Sequence, residues 1–161
     1  MSLSEKLFSS FSILFFIIAL ALGAALVLMS HMSPIEAFLL SFIVCGIGFE
    51  GLWLFAGNFF ISNSTASSMG WPTDDPFQKE LAFAGLALAA GAFIGIWIHG
   101  NFWFGLALMN AVFRLGTSSI RLGHMREKGN RSDLVAGPSV YLSGIAVPLI
   151  TLVLAFISFL S

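Results

Sequence analysis

The sequence predicts an all-α membrane protein, a polytopic bundle of transmembrane helices. Of the 161 residues, 58% are hydrophobic and only 9% are charged, whereas charged residues make up about 25% of a typical soluble domain. The 18 Phe residues and the single Tyr show that aromatic side chains serve mainly apolar contacts. A soluble chain of this size cannot hide so much apolar surface, so the lipid bilayer is the expected partner. The net charge of −1 gives no reason to expect nucleic acid.

Five apolar stretches are long enough, or nearly so, to cross a bilayer core of about 30 Å, which needs roughly 20 helical residues. We therefore predict one transmembrane domain, 1–161, with spans at 7–29, 35–60, 81–98, 102–120 and 140–160. The first run is too long for a signal peptide and has no clear small-residue cleavage site, so we expect an uncleaved span. Tight turns are expected at 31–34 and 99–101, and cytoplasmic loops at 62–78 and 121–137. A four-span arrangement with a re-entrant hairpin is the alternative.

The positions of Lys and Arg predict the orientation, because cytoplasmic loops are enriched in these residues. If the N-terminus is cytoplasmic, the basic residues outside the spans all fall on the inner side, namely Lys6, Lys79, Arg121, Arg126, Lys128 and Arg131. The prediction is an N-in, C-out, multi-pass protein of the cytoplasmic membrane.

Small residues predict where the helices approach closely. Ala87, Gly91 and Gly95 lie four residues apart on one face, which indicates either packing within the bundle or a homo-oligomer interface. The second span contains Gly46, Gly48, Gly51 and Gly57, which predict close contacts around Glu50. Pro148 predicts a kink in the last span.

Two ionisable residues, Glu50 and Arg114, are predicted at membrane depth. Such residues are costly to bury and usually mark function. At a rise of 1.5 Å per residue, Glu50 lies about 22 Å along its helix from Ile35, and Arg114 about 18 Å from Phe102. Both helices start at the outer face in the predicted topology, so the two groups lie at similar depth and can form an ion pair.

We expect Glu50 and Arg114 to belong to a buried polar cluster. Asn110 and Arg114 belong to a polar stripe on one face of the fourth span, with Thr117 and Arg121. Asn58 and Glu80 are expected nearer to the cytoplasmic mouth of the cluster. Two interpretations stay open: a site for a proton or small solute, or a structural ion pair that fixes the helix register.

The loop that follows the second span contains Trp71 and Phe77, which favour the headgroup level of the membrane. Its prolines and glycine predict a fixed turn, and Asp74 or Asp75 is expected to cap the next helix. The loop either anchors the chain at the interface or covers the polar cluster as a lid. The basic segment 121–137 serves as the topology determinant or attracts anionic headgroups.

No motif for catalysis, metal or a cofactor is evident. The single cysteine, Cys45, excludes a disulfide framework, and His31, His99 and His124 lack the spacing of a metal site. The glycines at 46–51 lie within a transmembrane run and not after a strand, which excludes a dinucleotide fingerprint. We therefore expect no catalytic residues, no metal and no cofactor.

Several short motifs resemble a family of small, uncharacterised prokaryotic membrane proteins. The matching stretches are Gly48–Gly51, Phe55–Phe60, Gly70–Pro72 with Pro76–Glu80, Leu122–Met125 and Lys128–Asn130. The resemblance implies a multi-span bundle and no particular activity. It directs attention to the loop-motif residues Trp71, Gln78 and His124, beside Glu50 and Glu80.

The leading hypothesis is a small membrane bundle whose polar cavity binds or passes a small solute or a proton. The alternative is a non-catalytic accessory or scaffold subunit of a larger membrane complex, with apolar spans that contact other proteins or quinones. A lipid-modifying or redox enzyme that uses His124 and Glu80 is a weaker third hypothesis.

Overall fold

The computed structural model describes residues 3–129 and 137–160, and these residues form helices and turns without any strand. The helices are α1 (Leu3–Met29), α2 (Pro34–Phe60), α3 (Ser62–Met69), α4 (Pro76–Ile94) and α5 (Asn101–Lys128), followed by α6. Helix α6 consists of Pro138–Tyr141, Leu142–Ala146 and Val147–Leu160. The predicted all-helical architecture is confirmed.

Four helices are long and apolar enough to cross a membrane: Ser10–Met29, Pro34–Phe60, Pro76–Ile94 and Leu142–Leu160. They correspond to the first, second, third and last of the predicted spans. Helix α5 has 28 residues but is not among these four, because Asn110, Arg114 and other polar residues interrupt its apolar sequence.

Both predicted long loops prove to be partly helical. The segment 62–78 contains α3 and the start of α4, so the expected fixed turn is confined to residues 70–75. Proline fits the first helical turn, where its missing N–H has no partner to lose, and the Asp75 side chain caps α4 by accepting from the Phe77 N–H at 2.9 Å. The segment 121–137 continues α5 to Lys128, and its residues 130–136 lie outside the described part of the chain.

The two predicted tight turns are present. Ser33 and Glu36 form a reciprocal capping box at the start of α2, which closes the turn after α1. Helix α4 ends at Ile94, four residues before the predicted end, and Gly100 at φ +65 leads into α5. The Trp103 indole donates to the Gly95 carbonyl at 2.6 Å and ties this turn together.

Glycines set the helix contacts, as the sequence predicted. A Cβ atom on Gly51 would lie 2.6 Å from the Gly85 carbonyl oxygen, so α2 and α4 touch backbone to backbone. Gly91 faces Leu106, and Gly95 lies against Trp103, which shows packing of α4 on α5 within the chain. Of the predicted small-residue face, Ala87 is the exposed member.

Two π-helical segments interrupt the long helices, and the sequence analysis did not foresee them. Ile43–Phe49 lies inside α2 and ends directly before Glu50, whose backbone N–H reaches the carbonyl of Cys45. Leu142–Ala146 lies inside α6, directly before Val147 and Pro148. A π segment inserts extra backbone into a turn and so changes the direction of the side chains beside it, which is why such segments are frequent at functional sites.

We predict that Gly51→Ala destabilises the protein by about 1–3 kcal/mol, because the added methyl group has only backbone to displace. Gly105→Ala is the matched control, since no atom of another described helix lies within 4 Å of a Cβ atom there. The control variant should be neutral or slightly stabilising. Unfolding free energies in mixed micelles test both, and equal values for the two variants would contradict the α2–α4 backbone contact.

Candidate functional site

Glu50 and Arg114 form an ion pair inside the helix bundle. The Arg114 Nη2 and Glu50 Oε2 atoms lie 3.9 Å apart, and the two side chains are 9% and 5% exposed. This separation exceeds the 2.7–3.2 Å of an N–H···O hydrogen bond. The two charges therefore attract each other without a direct hydrogen bond, and their donors and acceptors stay available to other groups.

A polar cavity of about 60 Å³ lies at this ion pair. Helices α1, α2, α3, α5 and α6 all contribute to its wall, which is lined by Ser12, Glu50, Trp53, Leu54, Gly57, Asn58, Thr65, Met69, Arg114, Arg121 and Ser143. A buried water needs roughly 10–15 Å³ and two to four polar partners. The cavity therefore has room for several waters or for a solute of a few atoms.

Positive charge exceeds negative charge in this cavity, because Arg114 and Arg121 line it together with one carboxylate, Glu50. Buried Arg114 Nε and Nη2, Arg121 Nε and Glu50 Oε1 have no hydrogen-bond partner within the described part of the chain. Arg121 follows the predicted fourth span, and burial, then the charge of Arg114, lower the pKa of its guanidinium to about 10. It thus stays charged at pH 7, and the cavity combines excess positive charge with free donors.

Helix α3 closes the cavity at the end where α2 stops. The Thr65 hydroxyl donates to the Gly57 carbonyl at 3.0 Å and holds α3 against α2. Asn58 is 3% exposed, and its side-chain amide donates to the Leu54 carbonyl at 2.9 Å. The loop after α3 is held by Asn63 and Asp74, which exchange hydrogen bonds of 2.7 and 3.0 Å. Asn63 thus has a structural role in fixing this loop.

The two π segments place side chains in the cavity wall. One ends directly before Glu50, and the other carries Ser143. Gly144 packs against the Ser118 side chain of α5, which brings this part of α6 close to Arg114. The sequence showed the glycines around Glu50 and the proline at position 148. Neither of these features specifies a π-helical turn.

A second, larger pocket of about 290 Å³ lies between α4 and α5 and is mostly apolar. Its lining consists of Trp71, Pro72, Asp75, Phe77, Gln78, Leu81, Thr117, Ile120 and Arg121. Arg121 lines both spaces and therefore lies at the junction between the polar cavity and the apolar pocket.

The structure brings together three of the five predicted cluster residues, Glu50, Arg114 and Asn58, in the wall of the polar cavity. Asn110 is fully buried one turn from Arg114, and its amide has no partner among the described residues, but it does not line the cavity. Glu80 is exposed, so its predicted place in a buried cluster is wrong. At about 100° per residue, Glu80 lies on the opposite side of α4 from buried Gln78.

The three loop-motif residues separate into two groups. Trp71 and Gln78 line the larger pocket, and Trp71 also packs against buried Met69. His124 lines neither space, although its buried Nε2 atom has no hydrogen-bond partner in the described chain. The cavity residues Ser12, Thr65 and Ser143 could not be recognised from the sequence, because serine and threonine are common in membrane helices and carry no distinguishing pattern.

The described residues contain no group of three His, Cys, Asp or Glu side chains that could hold a metal ion. The polar cavity instead offers guanidinium, carboxylate, amide and hydroxyl groups. This set can bind a proton, water or a small polar solute through hydrogen bonds and charge.

The fold is that of a helical membrane protein, since four of its helices have the length and composition of membrane spans. A family model covers residues 9–159 of the chain, and the protein belongs to that family, DUF6790, a family of unknown function. Searches of curated proteins and of solved structures found no match.

We predict that Arg114→Met destabilises the protein by about 3–5 kcal/mol, because it leaves the Glu50 carboxylate buried without its ion-pair partner. The double variant Glu50→Gln/Arg114→Met removes both charges and should be more stable than Arg114→Met alone. Arg126→Met, a change at an exposed position of the same helix, should stay within about 0.5 kcal/mol of the wild type. Additive effects of the two buried substitutions in unfolding measurements would show that the charges do not interact.

Proposed function

We propose that this protein is a five-crossing protein of the cytoplasmic membrane that binds or passes a proton or a very small polar solute between Glu50 and Arg114. The ion pair at 3.9 Å in a cavity of about 60 Å³ carries the proposal. A pair that served only as a lock would gain from close, multiple hydrogen bonds. Here the charges instead face a space that admits a small guest.

The exposure pattern of α5 supports a fifth crossing. At 1.5 Å per residue its 28 residues reach about 42 Å, which is longer than the bilayer core. Its polar residues Asn110 and Arg114 are buried against the bundle, whereas apolar Met109 and Val112 are 60% and 68% exposed. In the middle of α5 the polar side chains thus face the protein, whereas the outward side chains are apolar.

Accessibility labelling tests the crossing and the N-in orientation. We predict that Asn101→Cys reacts with an impermeant maleimide on intact cells and that Glu127→Cys reacts only after the membrane is opened. Both positions are exposed, and they lie at opposite ends of α5. The native Cys45 is buried and gives the background. Labelling of both positions from the same side would contradict the fifth crossing.

A proton-flux measurement tests the proposed activity. Liposomes that contain the wild-type protein and an internal pH-sensitive dye should equilibrate an imposed pH gradient faster than protein-free liposomes. Glu50→Gln should reduce the flux to the protein-free level, because it removes the buried carboxylate. Glu80→Gln removes an exposed carboxylate and should leave the flux unchanged. Equal flux with Glu50→Gln and wild-type protein would contradict proton passage through this site.

A second candidate function is that of an accessory subunit in a larger membrane complex, and the outer face of α5 favours it. Gly105, Gly116 and Gly123 are 11 and 7 residues apart, which places them on one side of the helix. At each of them, no atom of another described helix lies within 4 Å of the position that a Cβ atom would take. Small residues let a second helix approach closely. On this proposal, Gly116→Leu would abolish co-purification of partner chains while the protein itself stays folded.

A further inference from the structure

The pocket between α4 and α5 results from the way these helices diverge. They touch near one end, where Gly91 meets Leu106 and Trp103 donates to the Gly95 carbonyl. Toward the other end they separate, and Leu81 and Thr117 face a space of about 290 Å³. That volume is near the lower limit of about 300–1,000 Å³ for small-molecule sites.

The rim of this pocket is apolar and exposed. Phe77 and Ile120 are 61% and 65% exposed and stand at its edge, on α4 and α5. Trp71 and Pro72 form another part of the wall, in a loop that Asn63 and Asp74 hold in place. In a bilayer, such a rim faces acyl chains and the headgroup boundary, where Trp is favoured.

The polar groups of the pocket indicate what the head of a ligand must offer. Arg121 supplies a guanidinium whose buried Nε atom has no partner among the described residues, and the same holds for the Oε1 atom of Gln78, which is 4% exposed. The exposed Asp75 carboxylate also lines the pocket, but it accepts from the Phe77 N–H and caps α4. Arg121 lies at the junction with the polar cavity, which also contains Arg114. The two positive charges together favour an anionic ligand.

We propose that this pocket binds a single-chain anionic amphiphile, with the carboxylate of a fatty acid at Arg121 and the chain along Trp71, Leu81 and Ile120. A small hydrophilic anion is a poorer ligand, because it has no apolar surface to bury against the pocket wall. The volume suits one chain and one small head better than a two-chain phospholipid.

Fluorescence quenching tests this proposal. The protein is placed in phosphatidylcholine nanodiscs and titrated with a dibrominated stearate or with the dibrominated alcohol of the same chain, which lacks the charge. The readout is the difference in quenching between the wild-type protein and Trp71→Phe. This difference separates the signal of Trp71 from that of the other three tryptophans. The stearate should quench Trp71 at concentrations at least tenfold below those of the alcohol, because a hydrogen bond to a charged group gives about that factor. Equal quenching by the stearate and the alcohol would show that the charge of the head does not matter, and it would overturn the proposal.

Two variants identify the residues. Arg121→Gln should weaken stearate binding about tenfold or more and leave the alcohol unchanged, whereas Arg126→Gln removes an exposed charge of the same helix and should have no effect. Leu81→Phe, which adds no tryptophan, should narrow the pocket and weaken quenching by both compounds. An equal loss with Arg126→Gln would overturn the assignment to Arg121.

Two competitors distinguish other sources of an anionic head. Inorganic phosphate should not displace the stearate, and a brominated phosphatidylglycerol should quench Trp71 no more than brominated phosphatidylcholine does. Displacement by phosphate would show a site for a free anion, and strong quenching by phosphatidylglycerol would show a lipid-headgroup site. Either result would overturn the single-chain assignment.

Discussion

The burial of a carboxylate and a guanidinium inside an apolar helix bundle is the constraint on which the structure depends. Each charge alone would be costly to transfer out of water, and the cost falls only when an opposite charge is near. Glu50 on α2 and Arg114 on α5 meet this condition at 3.9 Å. The rest of the fold brings these two helices to the correct height and holds them there.

The glycines and π segments provide that positioning. Gly51 lies against the Gly85 carbonyl, so α4 packs on α2 directly beside Glu50. The π segment Ile43–Phe49 ends at the same point and sets the direction of the Glu50 side chain. On the other side, Gly144 contacts Ser118, which brings α6 close to α5 next to Arg114. Close helix contacts thus lie on both sides of the charged pair, and the cavity of about 60 Å³ is the space left there.

The sequence was sufficient for those features that depend on composition and on helical spacing. Long apolar runs predicted the helices, the glycines predicted close packing around Glu50, and equal depth predicted that Glu50 and Arg114 can meet. The sequence was not sufficient for features that depend on local helix capping or on an inserted backbone residue. Asp75 and Pro76 start α4 earlier than the apolar run suggested, and this fixes Gln78 inside and Glu80 outside. The π segments, and with them Ser143 in the cavity wall, depend on packing between helices far apart in the chain.

A direct test of the central claim is the distance between the two charged groups in a bilayer. Solid-state NMR can measure the dipolar coupling between ¹³C-labelled glutamate carboxyl carbons and ¹⁵N-labelled arginine guanidinium nitrogens in reconstituted protein. Given the 3.9 Å separation of Nη2 and Oε2, a measurable coupling is expected in the wild type. It should vanish in Glu50→Gln and persist in Glu80→Gln, whose carboxyl group is exposed. The absence of a coupling that depends on Glu50 would contradict the pairing and remove the basis for the polar site.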